Sequence, residues 1–290
     1  MSWWRLRIVF EMPRLIRFGR LLCVGLSGIL SAWANPTPEV AIWEKISVYQ
    51  SAVAELELDD LPEPIDEQAM RERDFSAAVV HLDQQPLSES RLDAVEKRFV
   101  ALIEAEGNDE IARASRYLLG RIAQLFRAKP DVAKAADYFR GLVEQPGPGI
   151  WSEQARLKLT LLTLYVLPIR TPSERLKLAE NYLEAARDPI AVRDMHRLLA
   201  RAILFYNFPP KRALEHLLAA DKIGGLVGTQ ASSQLVQIGE LAWDEGDEEL
   251  AAHYYERLAK EYPRDPRIFT MQQRLAGEPT PGRGEVVNGR

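Results

Sequence analysis

Apolar residues recur at helical spacing along most of this chain, and alternating strand-like runs of Val, Ile and Thr are absent. The periodicity predicts about a dozen helices, at 38–57, 66–82, 90–106, 109–128, 131–145, 152–167, 172–187, 190–206, 210–222, 230–245, 247–261 and 265–276. Breakers separate them: Pro62 and Pro64, Pro86, Gly107, Pro130, the run from Pro146 to Gly149, Pro168, Pro189, Pro209-Pro210, Gly224-Gly225, Gly246 and Pro263. Cap chemistry marks several starts. Thr171-Pro172-Ser173-Glu174 places a hydroxyl at the N-cap, proline at the first helical position and a carboxylate three residues after the cap. Asp188-Pro189 and Asp265-Pro266 repeat the cap-then-proline device, and Ser90 with Asp93 forms a weaker pair. Short helices joined by short loops favour antiparallel pairs, so the expected class is all-α.

The pairs repeat. Residues 232–265 place Leu235, Ile238, Gly239 and Ala242 on a first helix and Ala251, Tyr255 and Leu258 on a second, with Pro263 closing. Residues 116–147 carry Leu119, Ile122, Ala123 and Phe126, then Ala135, Phe139 and Leu142. The step from Ala123 to Ala135 equals that from Gly239 to Ala251. Both stretches resemble the 34-residue tetratricopeptide (TPR) repeat, with Ala242 standing where that family usually has an aromatic. Residues 193–225 fit more loosely through Ala213, Leu217 and Ala220, and residues 152–187 keep a helix pair with a longer proline-bearing loop. The resemblance implies an α-solenoid of antiparallel helix pairs wound as a right-handed superhelix, here over residues 65–276, preceded by an N-terminal helix and linker at 35–64.

The first 34 residues follow a different pattern. Arg14, Arg17 and Arg20 precede an apolar run from Leu21 to Leu30, and Ser31-Ala32-Trp33-Ala34 follows. That order predicts a secretory signal cut after Ala34, with Met12 as an alternative start. The apolar run is about half the ~20 residues a membrane span needs, so a retained anchor is the weaker reading. Cys23, the one cysteine, lies within this segment and lacks the small residue before it that lipid attachment requires. The expected location is therefore periplasmic or secreted, without a lipid anchor and without disulfides. At the other end, residues 277–290 are rich in Gly and Pro and are expected to be disordered.

Charge narrows the function classes. With five Arg and one Glu in residues 1–34, cleavage leaves 32 basic against 41 acidic residues, a net −9. Such a chain gives no electrostatic footprint for nucleic acid. His81, His196, His216 and His253 show no metal-ligand spacing, and Gly224-Gly225-Leu226-Val227-Gly228 reads as an interhelical loop rather than a phosphate cradle. No Gly-x-Ser-x-Gly elbow occurs. Some wall-cleaving lytic enzymes carry exported helical superhelices, but they also carry a catalytic domain, and the helical pattern here runs to about residue 276. No catalytic residue, cofactor or metal is expected.

Binding is the expected activity. In the resembled family the first helix of each pair lines an inner groove. Carried over, that gives Tyr117, Gln124 and Arg127 in the earlier unit and Val236, Glu240 and Trp243 in the later one. Phe205 and Tyr206 are the corresponding residues of the looser middle unit. The expected partner is a protein or peptide. Self-association, or binding of glycan or peptidoglycan, are the alternatives.

Overall fold

A computed structural model describes residues 38–145, 149–169 and 171–277. The expected signal segment, most of the Pro146–Gly149 run and the C-terminal tail past Gly277 lie outside the described residues. Those residues form thirteen α-helices and no strand. Consecutive helices pack on one another, so the fold is an all-α array of helical hairpins. Two compact units divide the chain between Glu144 and Gln145.

The first unit comprises α1 (Pro38–Ser47), α2 (Ser51–Asp59), α3 (Glu67–Asp83), α4 (Glu89–Ala105), α5 (Glu110–Arg121) and α6 (Val132–Val143). One π turn, Ile122–Phe126, extends α5. The single helix expected at 38–57 is two, because Tyr49 takes a left-handed backbone (φ 64°) between α1 and α2. The turn is closed by the Gln50 N–H donating to Lys45 O at 2.9 Å and the Tyr49 N–H to Ile46 O at 3.2 Å, the crossed pattern that ends many helices. No glycine or proline advertises the break. Trp43, Phe75 and Phe99 run through the core at centroid spacings of 5.9 Å.

The second unit comprises α7 (Ile150–Tyr165), α8 (Pro172–Ala185), α9 (Pro189–Phe205), α10 (Pro210–Ile223), α11 (Gly228–Asp244), α12 (Glu248–Glu261) and α13 (Ile268–Leu275). Its core joins Leu164, Leu176, Leu199, Ile203, Leu217, Leu235, Ile238, Tyr255, Leu258 and Met271.

Caps set the boundaries. Both halves of the Thr171 box form: the Glu174 N–H donates to Thr171 Oγ1 (3.2 Å) and the Thr171 N–H to Glu174 Oε2 (3.1 Å). Asp188 accepts from the Ala191 N–H at 2.7 Å, as its position before Pro189 predicts. Two expected caps move. Ser88, not Ser90, accepts from the Arg91 N–H, because α4 starts one residue earlier than the apolar pattern suggests. Asp265 caps no helix; it accepts from the Arg267 N–H and guanidinium, and α13 begins after Arg267. The Arg267 pairing holds the Asp265 carboxyl far below its ordinary range.

Helix crossings rest on glycine. A Cβ on Gly239 would lie 2.5 Å from the Tyr255 ring, and one on Gly120 would lie 2.5 Å from the Phe139 ring. The close approach in the earlier hairpin is therefore at Gly120, one turn before the Ala123 that the sequence spacing indicates. The path from glycine to ring is three residues longer there: the π turn adds one, and the loop after it adds two.

Within hairpins and between neighbouring ones, the polar contacts share a characteristic reach. Arg71 donates to Leu102 O and Asp109, separations of 31 and 38 residues. Arg193 donates to Gly224 O (31), Arg212 to Glu180 (32), Arg267 to Ser232 (35) and Arg274 to Glu240 (34). Buried Glu153 accepts from the Arg187 and Asp188 N–H groups at 3.0 and 3.3 Å, while the Arg156 guanidinium holds its other oxygen. The bonds of Arg71 to Leu102 O, of Arg193 and of Glu153 close the open end of a single hairpin, whereas those of Arg71 to Asp109, Arg212 to Glu180 and Arg274 to Glu240 tie one hairpin to the next.

Candidate functional site: an exposed aromatic cluster

Of the eight residues placed in the groove by sequence, only Phe205 presents most of its side chain to solvent (67%). It is the last residue of α9, and the turn that follows fixes it. Asn207 adopts a left-handed backbone (φ 57°), with the Phe208 N–H donating to Ile203 O at 2.9 Å. Asparagine tolerates that conformation, so the chain reverses tightly after Phe205 without a glycine.

Two tyrosines brace the ring. Tyr165 at the end of α7 meets Phe205 edge-on at 5.7 Å, and Tyr206 meets it edge-on at 5.0 Å. Tyr165 and Tyr206 stack at 6.4 Å, and the Tyr206 hydroxyl donates to Leu164 O. Burial pushes the Tyr165 phenol up to about 12, so it stays neutral at any ordinary pH. Arg201, exposed and one turn before Phe205 on α9, adds a cation felt by Tyr165, and exposed Val166 widens the apolar surface. The result is a rigid apolar patch with one guanidinium beside it. Preordered aromatics lose little conformational entropy on binding, which favours them as interface anchors.

The remaining candidates have structural duties. Tyr117 is buried (4%) against Phe139, centroids 5.8 Å apart, so it fills the α5–α6 crossing instead of lining an open groove. Gln124 is buried in the π turn, and its Oε1 has no hydrogen-bond partner among the described residues. Arg127 reaches back to three carboxylates of α4: Glu89 at 2.8 Å, Asp93 at 2.7 Å and Glu96 at 3.0 Å. That fork pins the end of α5 to the preceding helix, and it holds the Glu89 carboxyl below its ordinary range together with the Ala128 N–H.

In the last hairpin, Arg274 of α13 engages two of the three candidates. The Arg274 guanidinium bonds Glu240 at 2.5 Å and lies 5.9 Å from the Trp243 ring centroid. Val236 and Trp243 are half-buried against the second unit's core. The structure thus gathers Phe205 with Tyr206, and Glu240 with Trp243, and leaves Tyr117, Gln124 and Arg127 engaged within the first unit.

Sequence reasoning missed one pairing. His196 on α9 and His216 on α10 meet across their hairpin, with Nδ1 atoms 2.9 Å apart and rings 5.1 Å apart. One Nδ1–H must donate to the other Nδ1, which requires the accepting ring to be neutral. Burial lowers the basicity of both, and His216 is pushed down to about 4 with help from the charge of His196. The available signal was symmetry: both lie nearly equidistant from the Asn207 turn, and antiparallel helices bring such residues face to face. Among the described residues, no cluster of three or more metal-ligating side chains forms, and no helix is long and apolar enough to cross a membrane.

These features define a class, an all-α protein of stacked helical hairpins with an aromatic patch on one hairpin end. The chain matches no protein-family model, no curated protein and no solved structure.

Proposed function

We propose that this chain is an exported, non-catalytic TPR-like scaffold that binds a segment of a protein partner in cell-envelope assembly or maintenance. The observation that carries the reading is Phe205, held by Tyr165 and Tyr206 and exposed beside Arg201. A half-buried tyrosine pair supporting one exposed phenylalanine adds little to the core but suits an anchor that enters a partner's pocket. The family reading is supported by the hairpin array, by glycines set under an aromatic ring at two crossings, and by polar contacts reaching 31 to 38 residues.

The test places a photo-crosslinking residue at Phe205 in the full chain and, as a control, at Val100, which is exposed on α4 of the other unit. One defined protein crosslinked from Phe205 and not from Val100, and lost on Arg201→Ala, supports the scaffold reading. Crosslinks to a second copy of the chain, or to glycan alone, refute it in favour of a self-associating or wall-binding protein.

A further inference from the structure

The outer face of α2 is apolar, and nothing among the described residues covers it. Val53 (41% exposed) and Leu56 (66%) sit one turn apart on that face, and Tyr49 (55%) stands in the turn just before the helix. The opposite face carries the packing, through Ser51, Ala54 and Leu58. These exposed positions do not serve the core.

Tyr49 adds an independent observation. In the equivalent turns of the second unit the left-handed residue is Asn207 or Gly246, both suited to that backbone. A bulky side chain at φ 64° is strained, and here the strain is not offset by burial of the ring. A strained aromatic left in solvent, in the turn that leads into a helix with two exposed aliphatics, marks a surface made for contact outside the chain.

The surrounding charge identifies what fits. Residues 38–67 hold nine acidic side chains and one basic, Lys45, which already pairs with Glu57 at 3.9 Å. Asp59 and Asp60 stand exposed at the C-terminal end of α2, where the carbonyl ends of the helix already concentrate negative potential, and no basic residue occupies the last turn. Such an end repels a second copy of itself and an anionic bilayer alike.

We infer that the exposed apolar side of α2 formed by Val53 and Leu56, with Tyr49 in the turn before it, docks a basic amphipathic helix of a partner protein, its apolar stripe on these side chains and its Lys or Arg residues against Asp59 and Asp60. This surface belongs to the first unit and stands independently of the Phe205 cluster.

The test titrates the full chain with a fluorescent Leu/Lys amphipathic helix of about 18 residues, and with a matched Leu/Glu helix. The Leu/Lys helix binds and the Leu/Glu helix does not. Affinity falls about tenfold in Val53→Ser/Leu56→Ser and by a similar factor in Asp59→Asn/Asp60→Asn. Tyr49→Gly relieves the backbone strain, so it raises the denaturation midpoint while weakening the helix. The same affinity in all three variants overturns the assignment. So does sedimentation showing self-association that Val53→Ser/Leu56→Ser abolishes, which would give the face to a second copy.

Discussion

Tyr255 lies against the bare Cα of Gly239, so close that a Cβ at that glycine would meet the ring at 2.5 Å. Gly120 and Phe139 repeat the relationship in the other unit. In both, the missing side chain is what lets two helices of a hairpin approach and one aromatic fill the crossing. A helical glycine ordinarily costs ~1 kcal/mol relative to alanine. Here that cost secures a contact no larger residue permits.

Alanine substitution therefore separates by environment. Gly141, in α6 with nothing near a built Cβ, becomes more stable by ~0.5–1 kcal/mol as alanine. Gly239→Ala and Gly120→Ala lose ~1–3 kcal/mol, because overpacking against a rigid ring outweighs the helix gain. Urea midpoints of the three single variants check the ordering. Equal effects at all three sites would refute the crossing argument.

Glu153 is a buried carboxylate that accepts from the Arg187 and Asp188 N–H groups and holds the Arg156 guanidinium. Removing it strands a buried cation and two backbone donors at once. Glu153→Ala should cost ~3–5 kcal/mol, the range for breaking a buried pair. Glu153→Gln should cost less, since an amide oxygen still serves the loop. Chemical denaturation of both variants decides it; near-equal losses would mean that the loop contacts contribute nothing.

The histidine pair makes stability depend on acid. His196 and His216 titrate lower in the folded chain than the ~6.5 of a free imidazole, so between those values the unfolded chain binds more protons. Their contribution is thus fully present above pH ~6.5 and is lost as pH falls towards about 4, the His216 value. A His196→Asn/His216→Asn variant should show a shallower decline of the urea midpoint between pH 7 and pH 5 than the parent. Parallel declines would show that other groups govern the response.

How far the fold was legible follows from where each signal resides. Thr171 and Asp188 announce their helices because a cap is a local device, written within four residues. The Ala251–Tyr255 spacing announces a hairpin for the same reason. The Tyr49 break was hidden because the strained position is filled by tyrosine, where a local rule expects glycine or asparagine. The earlier crossing was misplaced at Ala123 because a π turn and a longer loop together add three residues between glycine and ring without changing the hydrophobic pattern. At the sites the limit is sharper. Whether Trp243 is open depends on Arg274, 31 residues on, and no pattern within α11 reports it. Phe205 was legible by type, but Tyr165, which braces it, lies forty residues earlier in a different hairpin.

The recurring reach of the polar contacts has a consequence for how the molecule comes apart. Because these bonds reach no further than the same hairpin or the next one, energetic coupling within each unit is short-ranged, as in a row of dominoes. A defect at Glu153 or Arg274 should loosen its own hairpin and the adjoining one and fade beyond them. Within each unit, opening should start at the terminal helices, where a hairpin has a neighbour on one side only, and work inward. Amide exchange would then read out as a gradient along the chain instead of a single cooperative threshold. Evolution could lengthen or shorten such an array by whole hairpins while leaving every surviving contact in register.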